Sequence, residues 1–465
     1  MVSFNGDSVS KMVQYHYQNA FLAAKIRDIY FHMNIHVNKL SRVKSFSIAT
    51  VLGLIVATSA MSETPENWSN WRGPNGDGSS APGNYPIRWN ETNNVLWKAP
   101  LPGKGCSSPI VWGNHIFVTT PSGGQDSLLA FDWSGKELWR TKLGAERSGR
   151  HRNGSGSNAS PATDGKSVFA YFKSGNLVSM DFHGKILWKT NLVEAFGRDT
   201  LYWDHGTSPV VTEKFVVMAR LHQGESWLAA FDKLTGELKW KTARNYQTEA
   251  ENDHGYNTPL VIRYENKESL LTWGGEHLTV HNIADGKLLW SATGFNPNVV
   301  KNWPAVATPV LIGDIVIVPH GRSDRGLPLL YGVKLGRAGE FDVTNHLWKR
   351  VDTGTFVPSP TVWQKKVYLL RDRGEVECLD PLTGKSFWND SFPKTSANFY
   401  GSPTIVNGSL YAVREDGVIF VANVEGKFEV LAENNMGERV IATPVFLRDR
   451  ILVRGEKNLF CLATR

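Results

Sequence analysis

Ala230-Phe-Asp-Lys-Leu-Thr-Gly-Glu-Leu-Lys-Trp240 is the stretch from which the fold can be read. An apolar strand runs out at Phe231, Asp232 and Thr235-Gly236 supply a tight turn, and a second strand ends on Trp240. Asp and Gly suit that turn because Asp bonds its own backbone two residues on and Gly accepts a positive φ. The same hairpin returns as Cys378-Leu-Asp-Pro-Leu-Thr-Gly-Lys-Ser-Phe-Trp388, and in weaker form ending at Trp139, Trp188, Trp290 and Trp348. The Trp offers a wide flat face to wedge between neighbouring units, so these tryptophans are read as structural. Leu431 takes the Trp position in the seventh repeat, which predicts a less well packed boundary there.

Outward from the hairpin, each repeat opens with a Ser/Thr-Pro pair that leads an alternating apolar stretch. The pairs begin at Ser108, Ser160, Ser208, Thr258, Thr308, Ser359, Ser402 and Thr443. The period is about 48 residues, in the range of propeller blades. In the first repeat, strand-length runs lead from Ser108, His115, Ser127 and Glu137, divided by turns at Gly113-Asn114, Gly123-Gly124 and Ser134-Gly135. Four antiparallel strands per period make one blade. The eighth repeat stops after a third strand, Asn458-Leu-Phe-Cys-Leu462, and its missing fourth is supplied by Asn94-Val-Leu-Trp-Lys98. The expected fold is therefore all-β, an eight-bladed propeller whose N-terminal strand completes the last blade and leaves no open ring edge.

Composition agrees, since 43 Gly, 22 Pro and 17 Trp in short apolar runs describe many strands and few helices. The net charge of +7 does not signal nucleic acid. Residues 1–60 hold +4 of it, and the remainder carries 45 bases against 42 acids. A near-balanced domain without a basic run lacks the footprint of a phosphate-backbone binder. Lys39, Arg42 and Lys44 precede the apolar run 46–57, and small residues follow to Ala60, the pattern of a secretory signal peptide. The run is shorter than the ~20 residues of a spanning helix, so no transmembrane segment is expected in the mature chain. The division is then 1–32 as an upstream extension, 33–60 as signal peptide, 61–92 as an N-terminal segment and 93–465 as propeller. An exported monomer, periplasmic or extracellular, follows. Cys106, Cys378 and Cys461 are too sparse for a disulfide frame or a metal site and read as buried small apolar residues.

With these residues in view, the chain resembles the PQQ-like (pyrroloquinoline-quinone repeat) propeller family, whose hallmark is Ala-x-Asp-x-x-Thr-Gly-x-x-x-Trp. The resemblance covers roughly 68–465, and Asn70-Trp-Arg-Gly-Pro-Asn-Gly-Asp-Gly78 is similar to the opening of exported members from planctomycete-type bacteria. The family holds quinoprotein dehydrogenases and an outer-membrane-protein assembly scaffold, so the resemblance implies a fold and not one activity. For the dehydrogenases it implies PQQ and calcium. The sequence, however, has no adjacent Cys-Cys pair, no Cys-x-x-Cys-His for haem, and no assignable cofactor residues.

The expected function is a non-catalytic binding or scaffold module, its partner a small polar ligand or an extracytoplasmic protein. The alternatives are a quinoprotein-like dehydrogenase, and a metal- or sugar-processing enzyme built on His/Asp loops. Loops entering each inner strand ring one mouth of the channel, and those ahead of blades two to five are richly furnished. They supply His151, Arg152, Trp203, Asp204, His205, Asp253, His254 and Trp303 as candidate ligand-binding residues. Asp204-His205-Gly206 and Asp253-His254-Gly255 repeat one motif, explained either by repeat ancestry with Asp as turn former or by a shared polar patch. No metal site is assigned, and no nucleophile-elbow motif supports a Ser-His-Asp hydrolase. Blade five adds a charged insertion, His320-Gly-Arg-Ser-Asp-Arg-Gly326.

Overall fold

Eight sheets of four antiparallel strands make up the computed structural model, which describes residues 67–90 and 92–465. The expected upstream extension and signal peptide lie outside these residues. Blade 1 runs through Ile110–Trp112, His115–Pro121, Gln125–Phe131 and Glu137–Ala145. Blades 2 to 7 follow in order over 162–191, 210–243, 260–292, 310–350, 361–391 and 404–435. Blade 8 holds the last three strands of the chain and, as its outermost strand, Val95–Pro100. That strand pairs antiparallel with Asn458–Ala463, Trp97 opposite Cys461 and Lys98 opposite Phe460. No helix among the described residues is long and apolar enough to cross a membrane.

The Ser/Thr of each Ser/Thr-Pro pair joins one blade to the next. The Ser108 N–H donates to the Ser160 hydroxyl at 2.9 Å, Ser160 to Ser208 at 3.0 Å, and Ser208 to Thr258 at 2.9 Å. The relay continues through Thr308, Ser359 and Ser402 to Thr443. It spans seven of the eight seams. Among the described residues the Thr443–Ser108 seam lacks this bond, and Arg454 is held there instead, donating to the Ser107 hydroxyl at 2.5 Å and the Thr119 carbonyl at 2.9 Å.

The hairpin signature acts at the outer side of the same seams. The Asp232 carboxylate accepts the N–H groups of Leu234 and Thr235, which shapes the turn. Trp188 of the preceding blade lies over Gly236, where φ is 75° and a Cβ would collide with the indole, and donates to the Lys233 carbonyl at 2.9 Å. Trp97, Trp139, Trp240 and Trp348 repeat this arrangement on the next blade's turn. Apolar burial completes each junction, as where Phe169 and Trp188 of blade 2 share a core with Val216, Trp227 and Phe231 of blade 3.

The boundary after Leu431 departs from expectation. It is filled, because the N-terminal segment lays Tyr85 and Trp89 against it, both buried in one cluster with Met436 and Phe446. The Trp89 indole donates to the Met436 sulfur at 3.1 Å, and its backbone N–H to Asn434 at 2.9 Å.

The N-terminal segment does more than fill a gap. Trp68 pairs with Val111 at the far end of the inner strand of blade 1, and the Ser69 carbonyl accepts the Thr163 N–H of blade 2. Eight residues later the Asp77 carbonyl accepts the Val362 N–H of blade 6, and Gly78 and Ser80 bond Ile405 of blade 7. Blades 2 and 6 stand opposite each other in a ring of eight. Residues 68–80 therefore form a strap across the channel at the end remote from the Ser/Thr-Pro pairs. Arg72 is buried within it and donates to the Pro360 carbonyl. Burial draws the Arg72 pKa down to about 10 against the pull of Asp77.

Candidate site at the channel mouth

Above the strap the channel opens as a cavity of about 490 Å³. Trp71 of the strap lines it and forms its floor, and all eight Ser/Thr side chains of the interblade relay line its wall. Its mouth is furnished from two sets of loops: those entering the inner strands, and the hairpins between second and third strands.

Three of the eight candidate residues line this cavity, namely His151, Trp203 and Asp204. The His151 ring meets Trp203 edge-on at 5.1 Å. Burial, helped by Arg152, lowers the His151 pKa. Asp204 accepts the backbone N–H groups of Arg150 and His151 and pairs with buried Lys173 at 2.5 Å. It ties the loop of blade 2 to that of blade 3, so its carboxylate is already engaged. Arg152 reaches across the mouth to Glu415 of blade 7 at 3.1 Å. Burial would raise the Glu415 carboxyl, but hydrogen bonds from Asn153 and the Asn398 N–H, with Arg152 and Arg439 beside it, hold it below the ordinary range.

The other four candidates stand behind the lining. His205 packs edge-on against Tyr171 at 4.8 Å, and burial lowers its pKa to about 4. His254 is buried with its ring nitrogen 3.7 Å from Asp253. Trp303 is buried against the His320 ring at 5.3 Å. Neither histidine of the two Asp-His-Gly motifs is among the residues that line the cavity. Asp204 ties two loops together, whereas Asp253 pairs only with its neighbour His254 among the described residues.

Residues that sequence reasoning passed over complete the lining. Trp71 comes from the strap; Arg322, Asp324 and Arg325 come from the blade-five insertion; Asp372 and Arg373 come from the hairpin of blade 6. The insertion's charge was the one available signal. Arg322 pairs with Asp324 at 2.7 Å and lies over the Phe356 ring at 4.2 Å. Asp372 accepts the N–H groups of Phe356 and Val357, both at 3.0 Å, and the Ser323 hydroxyl. Cys106 also departs from expectation: it borders the cavity, and its thiol donates to the Asn153 carbonyl at 2.7 Å. Burial pushes its pKa up to about 11, which makes it a poor nucleophile. Cys378 and Cys461 are buried and free.

A calcium–quinone pair needs carboxylate and amide oxygens aimed at the metal. Trp71 and the arginines would suit a flat anion, but Asp204, Asp324 and Asp372 all have partners of their own. Among the described residues no three His, Cys, Asp or Glu side chains converge on a metal position. The cavity does not fit that pair.

Comparison with known proteins follows the repeat. A family model described as outer membrane protein assembly factor BamB matches residues 83–245, 125–390 and 341–458. A relative named for the same factor, from Burkholderia pseudomallei, is 24% identical over 374 residues, covering 77% of this chain and 84% of its own. Of solved structures, BamB from Moraxella catarrhalis superimposes with a TM-score of 0.56 at 12% identity, covering 79% of this chain and 99% of its own. Quinohemoprotein alcohol dehydrogenase from Comamonas testosteroni superimposes with a TM-score of 0.61 at 13% identity, covering 86% and 81%. At such identities these superpositions speak for the fold alone.

Proposed function

Because the chain belongs to the family described as outer membrane protein assembly factor BamB, we propose that it is an exported, non-catalytic scaffold that holds protein partners at the outer face of its ring. The observation that carries this reading is the match of the family model across 83–458, with curated relatives named for assembly of outer membrane proteins. The surface supports it. On five outermost strands the residue just before the wedge position points outward: Leu138, Leu187, Leu347, Phe387 and Val430 are each between 40 and 55% exposed. Those strands end their sheets and so present unpaired backbone groups beside apolar side chains. An apolar row beside an open strand edge is the chemistry by which sheets take up a partner segment.

The test is in-cell photo-cross-linking in the native host, with the photoreactive residue placed at Leu347 or Phe387. Cross-links to proteins of the outer-membrane assembly apparatus are expected from these positions and not from the channel mouth. Cross-links confined to cytoplasmic proteins, or none above background at either position, would contradict the scaffold reading.

A further inference from the structure

We propose that the cavity floored by Trp71 binds a carboxylate-bearing saccharide, a role separate from the scaffold and independent of it. The relay hydroxyls carry the first step. Ser160, Ser208, Thr258, Thr308, Ser359 and Ser402 each accept an N–H from the preceding blade, as does Thr443, and none donates to a protein acceptor among the described residues. Since a hydroxyl has one proton to give as well as lone pairs, the wall is a ring of uncommitted O–H donors. A ring of donors selects a ligand rich in oxygen acceptors.

Charge narrows the class. The carboxylates at the cavity are paired or capped, whereas Arg325 and Arg373 line it, are exposed, and have no hydrogen-bond or ion-pair partner among the described residues. Guanidinium groups are matched in shape to carboxylates, and these two are the charged groups at the cavity left without a partner among the described residues. The ligand is therefore an anion.

The remaining features distinguish a sugar acid from other anions. Trp71, Trp203 and Tyr400 all line the cavity, and aromatic rings there give the C–H face of a sugar ring apolar surface to pack on. Relay hydroxyls spread around seven blades match a ligand with oxygens all round its rim, which a sugar acid has and a compact phosphate or a planar aromatic acid does not. The volume of about 490 Å³ falls within the range of small-ligand sites.

The purified exported protein should be titrated calorimetrically with digalacturonate and sialyllactose, with their neutral counterparts digalactose and lactose, and with inorganic phosphate. Binding by at least one acidic saccharide is expected, at least tenfold tighter than its neutral counterpart and than phosphate. The Arg325→Ala/Arg373→Ala variant, whose side chains are exposed, should melt as the wild type does and lose at least tenfold in affinity. Trp71→Ala should lose binding as well, and Tyr400→Ala checks the aromatic contribution should the strap variant fail to fold. Equal binding of neutral and acidic sugars, phosphate as tight as the sugars, no binding of either acidic saccharide, or undiminished binding in the arginine variant would each overturn the proposal. None of these outcomes bears on the cross-linking pattern at the outer strands.

Discussion

Trp240 joins two blades with one side chain, covering Gly286 of blade 4 and donating to the Ile283 carbonyl at 2.9 Å. Trp240→Phe keeps much of the packing and loses the bond, so it should cost about 1 kcal/mol, while Trp240→Ala removes the wedge and should cost about 3–5 kcal/mol. Urea denaturation measures both, and equal losses would show that packing contributes nothing beyond the bond. A second effect concerns buried imidazoles. Burial holds His205 at about 4 and His281 and His320 at about 3, against about 6.5 in the unfolded chain. With folded values depressed, the unfolded state binds the extra protons, so stability is full above about 6.5 and falls as pH drops toward the folded values. Asp126, raised by burial to about 6, acts in the opposite sense and loses its contribution as pH climbs through that value. Three imidazoles outweigh one carboxyl. Thermal melts should drop from pH 7 to pH 4.5, and His320→Phe should shallow the drop; a flat profile would contradict the assignment. At this scale the sequence announced polar groups but not their direction. Asp204 and His205 are neighbours, yet one borders the cavity and the other is buried behind it.

At the level of the element, the repeated hairpin and the Ser/Thr-Pro pairs were readable because each does the same local work in every blade. The alternation of apolar residues then placed the strands. The loops between second and third strands were harder to read. Arg371-Asp372-Arg373-Gly374 resembles any charged turn, and only its end of the blade makes Asp372 and Arg373 part of the mouth. Completion of blade 8 by Val95–Pro100 was readable, since the last repeat lacked a strand and the N-terminal region supplied one with its Trp. Removing residues 93–99 strips that strand and the Trp97 contact with Gly135 and the Trp133 carbonyl, leaving an open edge. The wedge alone is worth roughly 3–5 kcal/mol by analogy with large-to-small core changes. The shortened protein should melt well below the full chain and aggregate, as calorimetry and light scattering would show. An unchanged melting temperature would mean that the strand adds nothing to closure.

For the whole molecule, the decisive feature is the one the sequence concealed. Residues 67–90 have no periodicity, and their partners, Val111, Thr163, Val362, Ile405 and Phe446, lie tens to hundreds of positions away. No local rule connects such residues. Their effect is global, because the strap ties opposite sides of the ring and turns a through-channel into a cavity with one mouth, on which the ligand proposal depends. Hydrogen exchange tests this most directly. Amide protection follows the free energy of the opening that exposes each N–H. The Thr163, Val362 and Ile405 amides, which donate to strap carbonyls, and Ser80 within the strap, which donates to Ile405, should exchange as slowly as the inner strands of the blades. Exchange of these four amides at the rate of exposed loops, with the blades still protected, would mean that the strap does not close the channel.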